Sequence, residues 1–242
     1  MSVSTLKGDR SVLGSFDGIS PIYDLLSWCY GFGAIQRSRR RLTPFVSPPG
    51  RVLVLGDGTG MALCELLQSF EPLQVVCVDA SRQMLQRTEK RLSVRVPHAM
   101  SRVRLIHGGI EDVPVSDSFD LIVSHYFLDL FDPLRLNAAL SRLDVIWEPG
   151  GSWWVTDFTR PTGVSVGARL QGAMLRVLYH FFRSNCGITT RTLPDIEGAF
   201  LARGYSTQRR IRSAWGTLET MLFLKPEVVT ELTGRPDASP SS

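Results

Sequence analysis

The chain runs to 242 residues, 43% of them hydrophobic, with 27 Lys and Arg against 23 Asp and Glu for a formal charge of +4. That length and apolar content suit one sizeable α/β core, and no stretch of about twenty uncharged apolar residues exists to span a membrane. The basic residues gather at Arg37 to Arg41 and Arg209 to Arg212. Without interleaved aromatic residues they make no nucleic-acid platform, which leaves a solvated surface or attraction to anionic lipid or an acidic substrate.

Residues 1–14 are polar and read as a flexible N-terminus with no apolar run suited to secretion. Phe16 to Tyr30 carries Ile19, Ile22, Tyr23, Leu26 and Tyr30 at helical spacing despite Pro21. Ala34 to Val46 reads as a second, basic helix, and Ser47 to Gly50 as a Pro-Gly linker. Cys29, Cys64, Cys77 and Cys186 are too widely spaced for a metal or redox motif. Cys64 and Cys77 lie in apolar stretches and read as small core residues, so a reducing, cytoplasmic setting is expected.

Val52 to Leu55 is apolar on both alternations, as in a strand buried on both faces of a parallel sheet. Gly56, Asp57, Gly58, Thr59 and Gly60 follow, and then the helical pattern of Met61, Leu63, Leu66 and Leu67. Strand, glycine loop and helix in that order bring the backbone close to a ligand, with helix N–H groups ahead for an anionic group. Leu73 to Val78 reads as a second buried strand ending at Asp79, about twenty residues past the loop, where a carboxylate can take both ribose hydroxyls. A dinucleotide site wants G-x-G-x-x-G. Here Met61 follows Gly60, and the resulting G-x-G-x-G favours S-adenosylmethionine over NAD.

Ser81 can cap a helix from Arg82 to Leu92. Val94 to Ser101 connects to a third strand, Arg102 to His107, whose His107 reads as structural. After a turn at Ser116 to Asp120, Leu121 to Ser124 is the fourth strand, and His125, Tyr126 and Asp129 emerge at its carboxyl end, where doubly wound sheets bind ligands. Asp132 caps a helix from Pro133 to Trp147. Glu148 to Gly151 turns into the fifth strand, Ser152 to Phe158, with Asp157 at its carboxyl end. Val164 to Phe182 has Val166, Leu170, Ala173, Met174, Val177, Leu178 and Phe181 at helical spacing. It reads as an inserted helix that roofs a pocket, packs in the core, or rests on a membrane surface. Leu193 to Ala202 is a helix with Pro194 in its first turn. Tyr205 to Ile211 and Leu218 to Leu224 are paired strands joined around Trp215 and Gly216, and residues 227–242 form a loose tail.

In VLVLGDGTG, VVCVDAS, GGIEDVP and DSFDLIVSHYFLDLF, in that order, the chain resembles the class I S-adenosylmethionine-dependent methyltransferases. FDGISPIYDLLS and GGSWWVTDFTRP resemble segments of the branch that methylates quinones in menaquinone and ubiquinone biosynthesis. The likeness runs from Phe16 to about Lys225. It implies a doubly wound, seven-stranded, mostly parallel α/β sheet in a single domain over 15–226, with lid helices at 15–47 and an inserted helix at 164–186. It implies S-adenosylmethionine as cofactor, held by Tyr23, Leu55, Gly56, Asp57, Gly58, Gly60, Asp79, Ala80, Met84, Gly109, Ile110, Glu111 and Ser124. His125, Tyr126 and Asp157 are the expected catalytic group, facing with Tyr23 and His180 a small lipophilic acceptor, a quinone precursor or lipid-like molecule.

Methyl transfer to an activated carbon asks mainly for alignment and exclusion of water. His125 serves as a base where the acceptor loses a proton, or else lines the cofactor edge with Tyr126. Asp157 orients a polar acceptor or pairs with Arg160 or Arg183, and Asp129 is a cap or loop anchor. The chain departs from the family at Val54, where many members carry an acid beneath the methionine end, and at Gly109, where an Asp often accepts from the adenine amino group. Asp57 stands ready for the first role; Glu111, Asp112 or the Ile110 backbone for the second. A non-catalytic cofactor-binding protein and an NAD-dependent oxidoreductase are the rival readings.

Overall fold

The computed structural model describes residues 41–159, 193–213 and 217–227, with isolated helical positions at 37, 169, 172–173 and 175–177. The expected lid, with Tyr23, lies outside the described residues, as do His180, most of the inserted segment and the tail beyond Glu227.

The strands are β1 (Arg51–Leu55), β2 (Gln74–Asp79), β3 (Val103–His107), β4 (Phe119–His125), β5 (Trp147–Phe158), β6 (Ser206–Ser213) and β7 (Leu218–Leu224). They form one seven-stranded sheet in the order β3-β2-β1-β4-β5-β7-β6. β1 pairs in parallel with both β2 and β4, and only β7 runs against its neighbours. The chain therefore winds outward from β1 to β3 and returns to β4 on the other side of β1. That reversal opens a crevice beyond the carboxyl ends of β1 and β4.

Helices cover both faces because the inner strands are apolar on both alternations. On one face Val52, Val54, Cys77, Leu121, Val123, Trp154 and Leu222 pack with Leu63, Leu66 and Leu67 of α1 (Met61–Ser69) and Leu92 of α2 (Arg82–Arg95). On the other, Leu53, Leu55, Ile122, Trp153, Val155 and Phe223 pack with Leu136, Leu140 and Leu143 of α3 (Pro133–Asp144) and Phe200 of α4 (Ile196–Leu201). Ser81 accepts from Met84 N at 3.1 Å and Asp132 from Arg135 N at 2.9 Å, so both expected caps are in place.

Several boundaries differ from the sequence reading. β5 starts at Trp147, not Ser152, and takes in the expected turn Glu148 to Gly151. Trp147 pairs with Phe119 across a register shift, and a bulge there accommodates Pro149 and Gly150, the latter at φ 75°. α3 accordingly ends at Asp144. Pro194 precedes α4, whose cap is Asp195, accepting from Gly198 N at 2.9 Å. The second basic helix does not reach Val46: residues 41–42 are a turn and Thr43–Phe45 a 3-10 turn, because Pro44 has no N–H to donate. Within the inserted segment Leu175 is buried and Val177, expected on its apolar face, is exposed. No helix among the described residues is long and apolar enough to cross a membrane.

Both described cysteines are core residues. Burial, reinforced by the charge of Asp57, pushes the Cys64 thiol up to about 11, and burial raises Cys77 as well. Thiolate is then scarce at neutral pH. Alkylation of the folded protein followed by peptide mapping is expected to leave both unmodified until denaturant is added.

Candidate functional site

The crevice begins at the loop after β1. Gly56, Gly58 and Gly60 all sit at positive φ, 61°, 66° and 79°, a conformation that costs any other residue about 1–2 kcal/mol. Space is as restrictive as torsion. A Cβ on Gly56 would stand 2.4 Å from the Phe127 ring, and one on Gly60 2.9 Å from the Thr88 Cα. The loop thus packs directly on the β4 turn on one side and on α2 on the other.

Asp57 is buried in this loop, 4% exposed, and its two carboxylate oxygens accept from Ala62 N at 3.0 Å and Leu63 N at 2.9 Å. This corrects two expectations. The first-turn N–H groups of α1 do not await a ligand's anion, because an internal carboxylate already binds them. Nor does Asp57 stand in for the missing acid at Val54, which is itself 1% exposed in the apolar layer.

Asp79 ends β2 on the rim. Its Oδ2 accepts from Gly58 N at 3.1 Å and its Oδ1 from Ser81 N at 2.8 Å, so it ties the glycine loop to the cap of α2. Each oxygen keeps lone-pair capacity for a ligand hydroxyl. Neighbouring Ala80 is partly exposed, and its carbonyl lies 3.0 Å from His107 Nε2, the structural contact foreseen for that histidine.

After β3, Asp112 Oδ2 accepts from Gly109 N at 2.9 Å and therefore braces the loop. The Glu111 carboxylate lies over Gly109 instead, 2.4 Å from where a Cβ there would be. A carboxylate thus stands beside the position at which family members carry Asp, contributed from two residues later. Ile110, Met84 and Leu55 are buried beneath the rim.

β4 ends in a strained turn. Tyr126 has φ 56°, an outlier for a bulky residue, fixed by its N–H to Thr156 O at 2.7 Å and by its ring 5.1 Å from Phe158. It is partly exposed. Alternation carries His125 and Ser124 to opposite faces: the His125 ring, 4% exposed, meets Trp154 edge-on at 5.2 Å. The Ser124 hydroxyl, fully buried, accepts from Trp153 Nε1 at 2.9 Å, so that side chain belongs to the core and not to the crevice. Asp157 also turns inward, 2% exposed. Its Oδ1 accepts from Phe127 N at 2.9 Å; Arg160 and Arg183, its expected partners, lie outside the described residues.

The partly exposed residues at the strand ends therefore form a crescent: Gly56, Asp79, Ala80, Gly109, Glu111 and Tyr126. Sequence reading missed Phe127, whose ring closes on Gly56, because no local pattern marks it.

A family model described as a methyltransferase domain matches residues 52–151. The chain is 29% identical over 195 residues to the ubiquinone/menaquinone biosynthesis C-methyltransferase UbiE of Syntrophotalea carbinolica, covering 78% of this chain and 79% of that one. It is 33% identical over 213 residues to the malonyl-[acyl-carrier protein] O-methyltransferase of Halorhodospira halophila, covering 84% and 68%. Among solved structures, it resembles the N-methyltransferase NodS of Bradyrhizobium japonicum in complex with S-adenosyl-L-homocysteine. That match has a TM-score of 0.63 and 15% identity, and covers 90% of this chain and all of the other.

Proposed function

The chain belongs to the class I S-adenosylmethionine-dependent methyltransferases, and on that footing we propose that its acceptor is a small lipophilic molecule of the quinone-precursor type. It is an enzyme that uses S-adenosylmethionine, and both rival readings, the non-catalytic binder and the oxidoreductase, are set aside. The observation that supports a cofactor seat here is the crescent at the switch point, floored by glycines whose Cβ atoms would collide with Phe127 and Thr88.

When bound, S-adenosylmethionine supplies an electrophilic methyl group on a sulfonium. In this reading Asp79 holds the ribose hydroxyls, and Gly56, Gly58 and Gly60 shape the methionine end. Glu111 accepts from the adenine edge above Ile110. Ala80 and Met84 pack beside it. Tyr126 stands at the border of donor and acceptor, and His125, buried against Trp154 behind it, lines the cofactor edge or serves as the base where the acceptor must lose a proton.

The lipophilic acceptor is supported by the similarity to UbiE, by the Tyr126–Phe158 aromatic pair, and by Asp157 and Asp129 being turned away from the rim. A second reading, methylation of a carboxyl group on a carrier protein, draws on the 33% identity to the malonyl-carrier enzyme. The single-domain organisation over 15–226, the cytoplasmic setting and peripheral contact with a membrane are parts of the same proposal.

Transfer of labelled methyl from S-adenosylmethionine, scored in parallel on demethylated quinones and on malonyl-carrier protein, tests it. Label in the quinone fraction supports the first reading. Label on the carrier alone replaces it with the second.

A further inference from the structure

Asp129 and Asp157 are 1% and 2% exposed, carboxyls buried side by side beneath the turn that follows β4. Two carboxylates cannot share a dry site as a double anion, because each is an acceptor and neither a donor. Asp157 Oδ1 accepts from the Phe127 N–H at 2.9 Å, the neighbouring Leu128 N–H also faces this carboxyl, and Oδ2 is buried with it. A single proton held between Asp157 and Asp129 would remove one of the two charges and supply the donor that two carboxylates lack.

What the pair holds in place is functional. The Phe127 N–H is fixed at 2.9 Å, the preceding Tyr126 is in the left-handed region, and the Phe127 ring fills the space where Gly56 lacks a side chain. We propose that Asp157 and Asp129 are a positioning pair, one carboxylate and one carboxylic acid, that pins the Tyr126–Phe127 turn against the glycine loop and thereby sets the shape of the cofactor crevice. Neither residue touches the cofactor in this account.

Burial, and after it the charge of Asp129, raises Asp157 well above the ordinary carboxyl value. Asp157's strand partner across β7 is Glu219, whose charge is met by Arg210 and Arg212 at 3.3 and 2.8 Å; His125 lies on the opposite face of the sheet. The sign follows. A group whose folded pKa is raised contributes stability that is complete below its unfolded pKa and is lost as pH rises through the folded one. The turn should loosen as pH rises above the ordinary carboxyl range.

The proposal rests on the crevice being the cofactor seat, so one arm of its test is independent of that. Ligand-free melting temperatures of the wild-type chain, Asp157→Asn, Asp129→Asn and Asp157→Ala are measured from about pH 4 to about pH 9. S-adenosylhomocysteine affinity is measured by calorimetry over the same range. Asn keeps an acceptor for Phe127 N–H and brings its own donor, so Asp157→Asn should flatten the fall in melting temperature with rising pH and hold affinity within about threefold of wild type. Asp157→Ala should weaken binding roughly tenfold or more by releasing the turn.

An Asp157→Asn melting profile that falls with rising pH as the wild-type one does overturns the shared proton. Wild-type affinity in Asp157→Ala overturns the positioning role. If that variant does not fold, Asp129→Asn decides: a flattened profile with near-wild-type affinity supports the pair, and an unchanged profile overturns it. Should the wild-type chain bind no S-adenosylhomocysteine, the cofactor seat fails, and the positioning role with it, while the melting arm still judges the shared proton.

Discussion

Replacing Gly56 with alanine should abolish most activity while leaving a folded but weakened protein. The left-handed backbone at φ 61° costs about 1–2 kcal/mol for alanine. The new methyl, 2.4 Å from the Phe127 ring, adds overpacking strain of about 1–3 kcal/mol. For a chain of this size the sum, about 2–5 kcal/mol, lowers the melting temperature by roughly 4–20 °C. The functional loss is larger, because the only relief is to push Phe127 and Tyr126 away from the crevice. A displacement of about 1 Å at a positioned site costs on the order of 100-fold in kcat/KM. Gly204→Ala is the control: it has φ 81° with nothing within 4 Å of the added Cβ. It should show the torsional loss alone and wild-type kcat/KM. Equal kinetic losses in both variants would mean that the Gly56–Phe127 contact does not shape the site.

The same contact shows where sequence reading reaches its limit. The strand, glycine loop and helix, the acidic end of β2, and the caps Ser81 and Asp132 were legible because each is a local signal: apolar runs, left-handed glycines, a side chain bonding a nearby N–H. Phe127 against Gly56 is a contact across 71 positions, and no spacing rule encodes it. Alternation carries a different ambiguity. It says that His125 and Ser124 part company, as do Thr156 and Asp157, but not which side meets the crevice and which the core. That choice is made by the layers packed on the sheet, α1 on one face and α3 with α4 on the other. Asp57 was misjudged for a related reason. Its reach to Ala62 N and Leu63 N requires the chain to double back through left-handed residues at Gly58 and Gly60, so it caps α1 from outside the usual cap position.

Asp79→Ala should have the largest effect on cofactor affinity of any single change in the rim. It removes the acceptor for Gly58 N and Ser81 N together with the proposed partner of the ribose hydroxyls. Losing charge-assisted bonds to a desolvated ligand amounts to a weakening on the order of 100-fold or more in S-adenosylhomocysteine binding. The cost to stability is smaller, about 1–3 kcal/mol, since the freed N–H groups lie at a partly exposed rim. Affinity alone does not separate a ligand contact from a loop brace, because collapse of the Gly58 turn would also weaken binding. A thermodynamic cycle does. An S-adenosylhomocysteine analogue lacking one ribose hydroxyl should bind the wild-type chain markedly more weakly than the parent compound. It should bind Asp79→Ala no more weakly than the parent does, because the partner of that hydroxyl is gone. If the variant still discriminates between the two ligands as strongly as wild type, Asp79 braces the loop and the ribose is held elsewhere.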